Sequence, residues 1–382
     1  MNRKDKLVIL ITEIFSYIQY SFSLYLLQAY NYPVIFYSYL LVAFYLGNLL
    51  GAILYGQIIE INRENYIFYN FIGLLATLIS YFFLLFPEKF ELIFLSVLIN
   101  FSVGSAILYT YFIVEKDEKL YYYYTLFDLI SFILAQILLL SKIDFKILTL
   151  SIFFIFSFTI FALFFLYFKK LLEFIINSIK EDYGILGMIN SFMDYLEKKE
   201  SEFILRLYGK PSVISFINLI FSIIISITWT ILIQLSSSYN LFYPAFLAVY
   251  FSLQVFTFKL LKNANNFYLS FIGILLRFPL LLILLIKIDN IFLLFLFYSL
   301  AGLSYSIYAF YLRGYILKNN VREYGWIIFF EYIGSIIGPL VLNLPGMNNI
   351  IVIFIVLSVL FFVSFVLIKT KSIIFKSSEE NI

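Results

Sequence analysis

Runs of about 20 apolar residues recur along the chain, broken by short polar stretches, and this constrains the fold more than any other feature. They lie near 7–30, 34–58, 66–86, 91–114, 121–140 and 146–168, then near 211–235, 241–261, 267–287, 290–313, 325–344 and 350–368. Each is long enough to cross a hydrocarbon core of about 30 Å as a helix. In hydrocarbon the backbone must satisfy its own hydrogen bonds, and a closed barrel would instead show shorter alternating segments, so an all-α polytopic membrane protein of twelve helices is expected. Composition agrees: of 382 residues, 63% are hydrophobic and only 13% charged, with mean hydropathy +0.99. A soluble domain carries about 25% charged residues.

There is no cysteine and no histidine. Disulfides, thiolate chemistry, haem and the usual zinc sites are therefore excluded, and any proton chemistry must rest on carboxylates. No metal and no cofactor is expected. The net charge of +3 is spread over short loops, which gives no footprint for nucleic acid.

Lysine and arginine set the orientation. With the N-terminus inside, 21 of them fall on the cytoplasmic side and four on the other, and Arg277 lies within a span. Both termini are expected in the cytoplasm, with MNRKDK leading into an uncleaved first span. The cell membrane is the expected location and a monomer the expected state.

Span starts in the second set follow those of the first by about 200 residues, which is the spacing of two six-span repeats in parallel orientation. The best internal match sets LFDLISFI (126–133) beside FFEYIGSI (329–336) and so Asp128 beside Glu331. The expected domains are a six-helix bundle at 1–168, a cytoplasmic linker at 169–210, a second bundle at 211–368 and a cytoplasmic tail at 369–382. Within the linker, ILGMINSFMDYLEKK (185–199) has the spacing of a surface-lying amphipathic helix.

Between spans two and three, LGNLLGAILYGQIIEINREN carries Gly47, Gly51, Gly56, Glu60 and Arg63. Gly47 and Gly51 alone form a small-xxx-small face that lets helices approach closely. The glycine-rich helix end followed by an acid and a base, with the six-plus-six plan, resembles the major facilitator superfamily of secondary transporters. Glu60 stands where that family has Asp, and Arg63 alone remains of its basic cluster. The resemblance implies a packing and gating role for Gly56, Glu60 and Arg63; a tight turn with interfacial charges is the other reading. GSIIGPL, with Gly334, Gly338 and Pro339, resembles a glycine and proline pattern of the family's antiporters, displaced here to span eleven, and Pro339 predicts a kink.

In that family spans one, four, seven and ten line a central cavity. The resemblance then implies cavity positions at Ser16, Gln19 and Tyr20, at Asn100, at Asn218 and Ser222, and at Tyr305 and Tyr308. Four ionisable residues lie inside spans: Glu13, Asp128, Arg277 and Glu331. Such groups are costly in a bilayer and tend to face the bundle interior or a wet cavity. Glu13 is the first candidate for proton coupling, against a structural hydrogen bond or a carboxyl reaching the interface. Asp128 and Glu331, expected near the N-terminal ends of their helices, where the dipole favours carboxylates, serve either structure and gating or coupling. Arg277 needs a partner: Glu331, Asp128, a set of carbonyls or an anionic solute.

A secondary active transporter working by alternating access on a small organic solute, coupled to protons through a membrane carboxylate, is the expected function. Hydroxyls and aromatics suit sugars or amphipathic solutes, and Arg277 suits an organic anion. No Walker-type sequence is present. A non-transporting receptor or scaffold on the same fold, or an intramembrane lipid-linked transferase, are the alternatives. An enzyme is not expected, because the nearest acidic cluster, EKDE at 115–118, is interspersed with lysine and reads as a solvated loop.

Overall fold

A computed structural model describes residues 3–61, 66–115, 119–141, 143–180, 211, 213–261, 268–283, 290–319, 321–343 and 359. The amphipathic linker segment, Arg63 and all of span twelve except Val359 lie outside the described residues. Six helices fill the first half: α1 (Arg3–Ala29), α2 (Ile35–Ile61), α3 (Tyr66–Phe83), α4 (Phe90–Glu115), α5 (Lys119–Leu140) and α6 (Phe145–Lys180). The second half holds α7 (Val213–Leu235), α8 (Tyr243–Leu261), α9 (Tyr268–Leu275), α10 (Arg277–Ile283), α11 (Ile291–Asn319) and α12 (Val321–Leu342). Among the described residues there is no strand.

Local chemistry explains where several helices begin and end. α1 stops because Asn31 takes a left-handed backbone (φ 52°), and two bonds close the end: Tyr32 N–H donates to Leu27 O at 2.8 Å and Asn31 N–H to Gln28 O at 2.7 Å. Asparagine tolerates this conformation better than other residues with a Cβ, and the two bonds satisfy carbonyls the last turn would leave open. α6 is capped by Asp144, whose Oδ1 accepts from the N–H groups of Lys146 (2.9 Å) and Ile147 (3.2 Å). α11 is capped by Asn290, whose Oδ1 accepts from Phe292 N–H at 2.8 Å.

Two spans depart from expectation. Span six does not stop at 168; α6 continues to Lys180, carrying KKLLEFIINSIK with it. Span nine is two helices meeting at Leu276. Pro279 is the cause: it has no N–H to donate, and its ring crowds the carbonyl four residues earlier, at Leu275. Pro339, in contrast, falls in the last turn of α12, which runs through it to Leu342. The clear proline break is therefore in span nine rather than span eleven.

Four helices are long and apolar enough to cross a membrane among the described residues, in the stretches Ile35–Ala52, Phe145–Phe165, Val213–Tyr239 and Ile291–Ala309. α6 shows what faces the lipid. Phe154, Phe158, Phe161 and Phe165 repeat at helical spacing and are all exposed, Phe158 by 72%. Water would not tolerate that stripe; acyl chains do.

Close helix pairs set the interior. α2 lies on α4, where a Cβ on Gly47 would come within 2.7 Å of Leu98 O, so the glycine permits that approach. α8 lies on α11, with Gly302 against the Tyr250 backbone. α1 packs on α5, α7 on α12, α3 on α4, and α9 on α11, while α5 meets α8 and α2 meets α12 across the two halves of the chain.

Candidate functional site

The four intramembrane ionisable residues lie in one neighbourhood: Glu13 and Asp128 are both within range of Tyr17, Tyr17 is within range of Tyr305, and Tyr305 is within range of Arg277 and bonds to Glu331. Asp128 and Glu331 lie at least 9 residues inside α5 and α12. That corrects the expectation for Asp128 and Glu331. A helix dipole acts within the first turn, and both carboxyls stand well beyond it.

Packing of α1 on α5 brings two of the four together. The side chains of Glu13 and Asp128 approach closely enough to interact, and both are buried, with 6% and 7% exposure. Glu13 therefore does not reach the interface. An ionised carboxylate only accepts, so two carboxyls bond only when one of them carries a proton. Asp128 Oδ1 has no hydrogen-bond partner among the described residues. Tyr17, one turn above Glu13 and half-buried, lies within electrostatic range of Glu13, Asp128, Tyr305 and Tyr332.

The polar stripe of α1 is tied up inside the first bundle. Ser16 Oγ donates to Asn100 Oδ1 (2.9 Å), and Asn100 Nδ2 donates to Ser16 O (2.9 Å) and Gln19 Oε1 (2.8 Å). Gln19 Nε2 donates to Ser96 Oγ, which donates to Ser80 O at 2.7 Å. Ser16, Gln19 and Asn100 are fully enclosed, and Tyr20 packs on Phe44 and Phe101. This chain links α1, α4 and α3. Replacing Asn100 with Leu is expected to cost about 1–3 kcal/mol, because Ser16 and Gln19 lose partners they cannot replace in a dry interior; thermal unfolding in detergent measures it.

In the second bundle Asn218 Nδ2 donates to Ile327 O (2.8 Å) and its Oδ1 accepts from Tyr308 OH (3.1 Å). Ser222 and Ser226 of α7 lie against Gly334 and Gly338 of α12, and Ser226 Oγ donates to Gly334 O at 3.3 Å. Glu331 Oε1 accepts from Tyr305 OH at 2.9 Å. Tyr305 is half-buried, while Tyr308 is enclosed.

Arg277, at the break in span nine, is 1% exposed. Its Nη2 donates to Ala301 O at 3.2 Å, and Nε and Nη1 have no partner among the described residues. Tyr45, Tyr250 and Tyr305 are the groups within electrostatic range. Tyr45 is in turn within range of Glu331. Of the partners expected for Arg277, a single backbone carbonyl is present and neither Glu331 nor Asp128 bonds to it.

Sequence reading missed Gln136. It joins the halves at the end far from the helix starts of α1 and α5: its Nε2 donates to Leu241 O and its Oε1 accepts from Ala245 N–H, both at 3.0 Å. Gln234 Nε2 donates to Ser38 Oγ nearby at 3.3 Å, and Tyr37 and Tyr243 place their rings 6.1 Å apart. Deeper, Phe132 stacks on Phe251 at 5.3 Å. A lone glutamine inside LAQILLL was the available signal. Glu60 and Gly56 lie on the last turns of α2, of whose side chains nothing further is described.

The sequence matches no protein-family model and no curated protein sequence. The fold, however, is shared with solved transporters. The nucleoside transporter NupG superposes with a TM-score of 0.60 at 12% identity, covering 97% of this chain and 99% of that one. The human organic anion transporter MFSD10 (TETRAN) superposes with a TM-score of 0.58 at 12% identity, covering 95% and 100%. Near-complete coverage in both directions means that the likeness extends over the whole helical plan. A chain whose helices present bare phenylalanine to lipid and enclose a set of ionisable groups thus shares its fold with these two transporter structures.

Proposed function

We propose that this protein is a secondary active transporter that moves a small organic solute by alternating access, with a proton carried by the Glu13–Asp128 pair. The observation that carries the reading is that pair: two buried carboxyls from different helices, close enough to interact, on a fold shared with transporters. A carboxyl pair holding one proton can release it to one side and regain it from the other as access alternates.

The helix pairing supports two rocking halves. α2 on α4 is answered by α8 on α11, α1 on α5 by α7 on α12, and α3 on α4 by α9 on α11. Between halves, α5 meets α8 and α2 meets α12, contacts that a two-fold axis along the membrane normal would interchange. With cytoplasmic termini, the seal at Gln136, Gln234 and Ser38 lies at the outer end, and the arrangement is the outward-closed one. Tyr17, Tyr45, Tyr305 and Tyr332, half-buried near the ionisable groups, would line the solute path. The two neighbours named above differ in solute, so the shared fold does not choose one.

Purified protein in vesicles loaded with a pH-sensitive dye tests the reading. Addition of a transported solute should drive proton movement under an imposed pH gradient. A receptor or scaffold on this fold would give no solute-dependent flux with any compound.

A further inference from the structure

Arg277 is the buried group that the proton pathway does not use. Its guanidinium cannot shed its charge at physiological pH, and it presents five N–H donors. One nitrogen reaches Ala301 O; Nε and Nη1, both enclosed, reach no partner among the described residues. A cation taken out of water without a counter-ion is strongly disfavoured. Ser222 Oγ, Gln254 Nε2 and Asp128 Oδ1 are also buried without a hydrogen-bond partner among the described residues, but of the side chains in that position Arg277 alone carries a fixed positive charge.

We infer that Arg277 is the docking group for an anionic moiety on the transported solute, a carboxylate or phosphate, which supplies the missing counter-charge. The inference rests on the transporter reading and narrows its solute class. Three observations converge on it. The unfilled donors belong to the side chain whose planar fork matches the two oxygens of such anions. Arg277 stands at the joint where Pro279 interrupts span nine. Around it are hydroxyls, Tyr45, Tyr250 and Tyr305, of which Tyr45 and Tyr305 are half-buried. The Tyr45 hydroxyl can donate to one of an anion's remaining oxygens without adding a competing positive charge, whereas the Tyr305 hydroxyl already donates to Glu331. Glu331, the carboxyl nearest this cluster, bonds to Tyr305 instead.

The test uses the full chain in detergent and matched pairs of probes that differ in charge: benzoate with benzamide, phenyl phosphate with phenol, and glucose 6-phosphate with glucose. At least one anion should raise the thermal midpoint by about 3 °C or more at millimolar concentration, while its neutral mate does not. Arg277→Gln should abolish that shift, and Arg277→Lys, which keeps the charge and loses the fork, should retain a weakened one. If Arg277→Gln does not fold, the wild-type comparison of each anion with its neutral mate still decides. Equal shifts from neutral mates, no shift from any anion, or a shift that survives Arg277→Gln would overturn the inference. Proton flux driven by a neutral or cationic solute would overturn it too while leaving the transporter reading in place; flux with no solute at all would remove the reading itself.

Discussion

Replacing Glu13 with Gln is expected to abolish proton-driven accumulation while leaving solute exchange across the membrane intact. The amide is nearly isosteric and can donate to Asp128, so the α1–α5 contact keeps a hydrogen bond while the pair loses its exchangeable proton. Asp128→Asn should do the same, and the double substitution should be no worse than either alone, because the two act as one unit. Uptake into vesicles at a series of external pH values measures this: the wild type depends on the gradient and both single variants do not. Gradient dependence that survives in Glu13→Gln would sink the coupling proposal.

Gly338→Leu prevents the chain from reaching its folded state, and Gly338→Ala weakens it by about 1–3 kcal/mol, the usual range for an overpacked interior. A Cβ at this position would fall on Ser226 Oγ and lie 2.9 Å from Ile223 O, a backbone atom that cannot rotate away. Gly334→Ala should behave similarly, since its Cβ would meet Leu219 O at 2.5 Å. Pairing Gly338→Ala with Ser226→Gly should recover much of the loss, because it removes the side chain struck first. Thermal unfolding in detergent and the monodispersity of the purified variants report both effects. Undiminished stability of Gly338→Leu would mean that α7 and α12 are not held this closely.

The gap between pattern and partner shows most clearly at the polar residues. The stripe of Ser16, Gln19 and Tyr20 on α1 identifies a face that avoids lipid. Whether such a face meets water or another helix depends on what stands opposite, and here Asn100 and Ser96 of α4 stand opposite. Asp128 and Glu331 appear as a matched pair in the repeat alignment, yet their neighbours differ: Asp128 meets Glu13, and Glu331 meets Tyr305. Pro279 was as visible in the sequence as Pro339, but only its position in the middle of a span lets it divide a helix. Gln136 carried no pattern at all, because a residue that joins two halves has its reason in the other half.

The sequence by itself determined that the chain is helical and membrane-embedded, since hydrocarbon leaves the backbone few alternatives and twenty apolar residues can do little else. It also marked the four ionisable residues, because charge within a span is rare enough to stand out. Which of them touch was decided only by tertiary structure. Helical periodicity fixes the face a side chain occupies, but the neighbour on that face comes from helices far away in the chain, and it is α1 on α5 that turns Glu13 and Asp128 into a pair while leaving Arg277 without a counter-ion among the described residues.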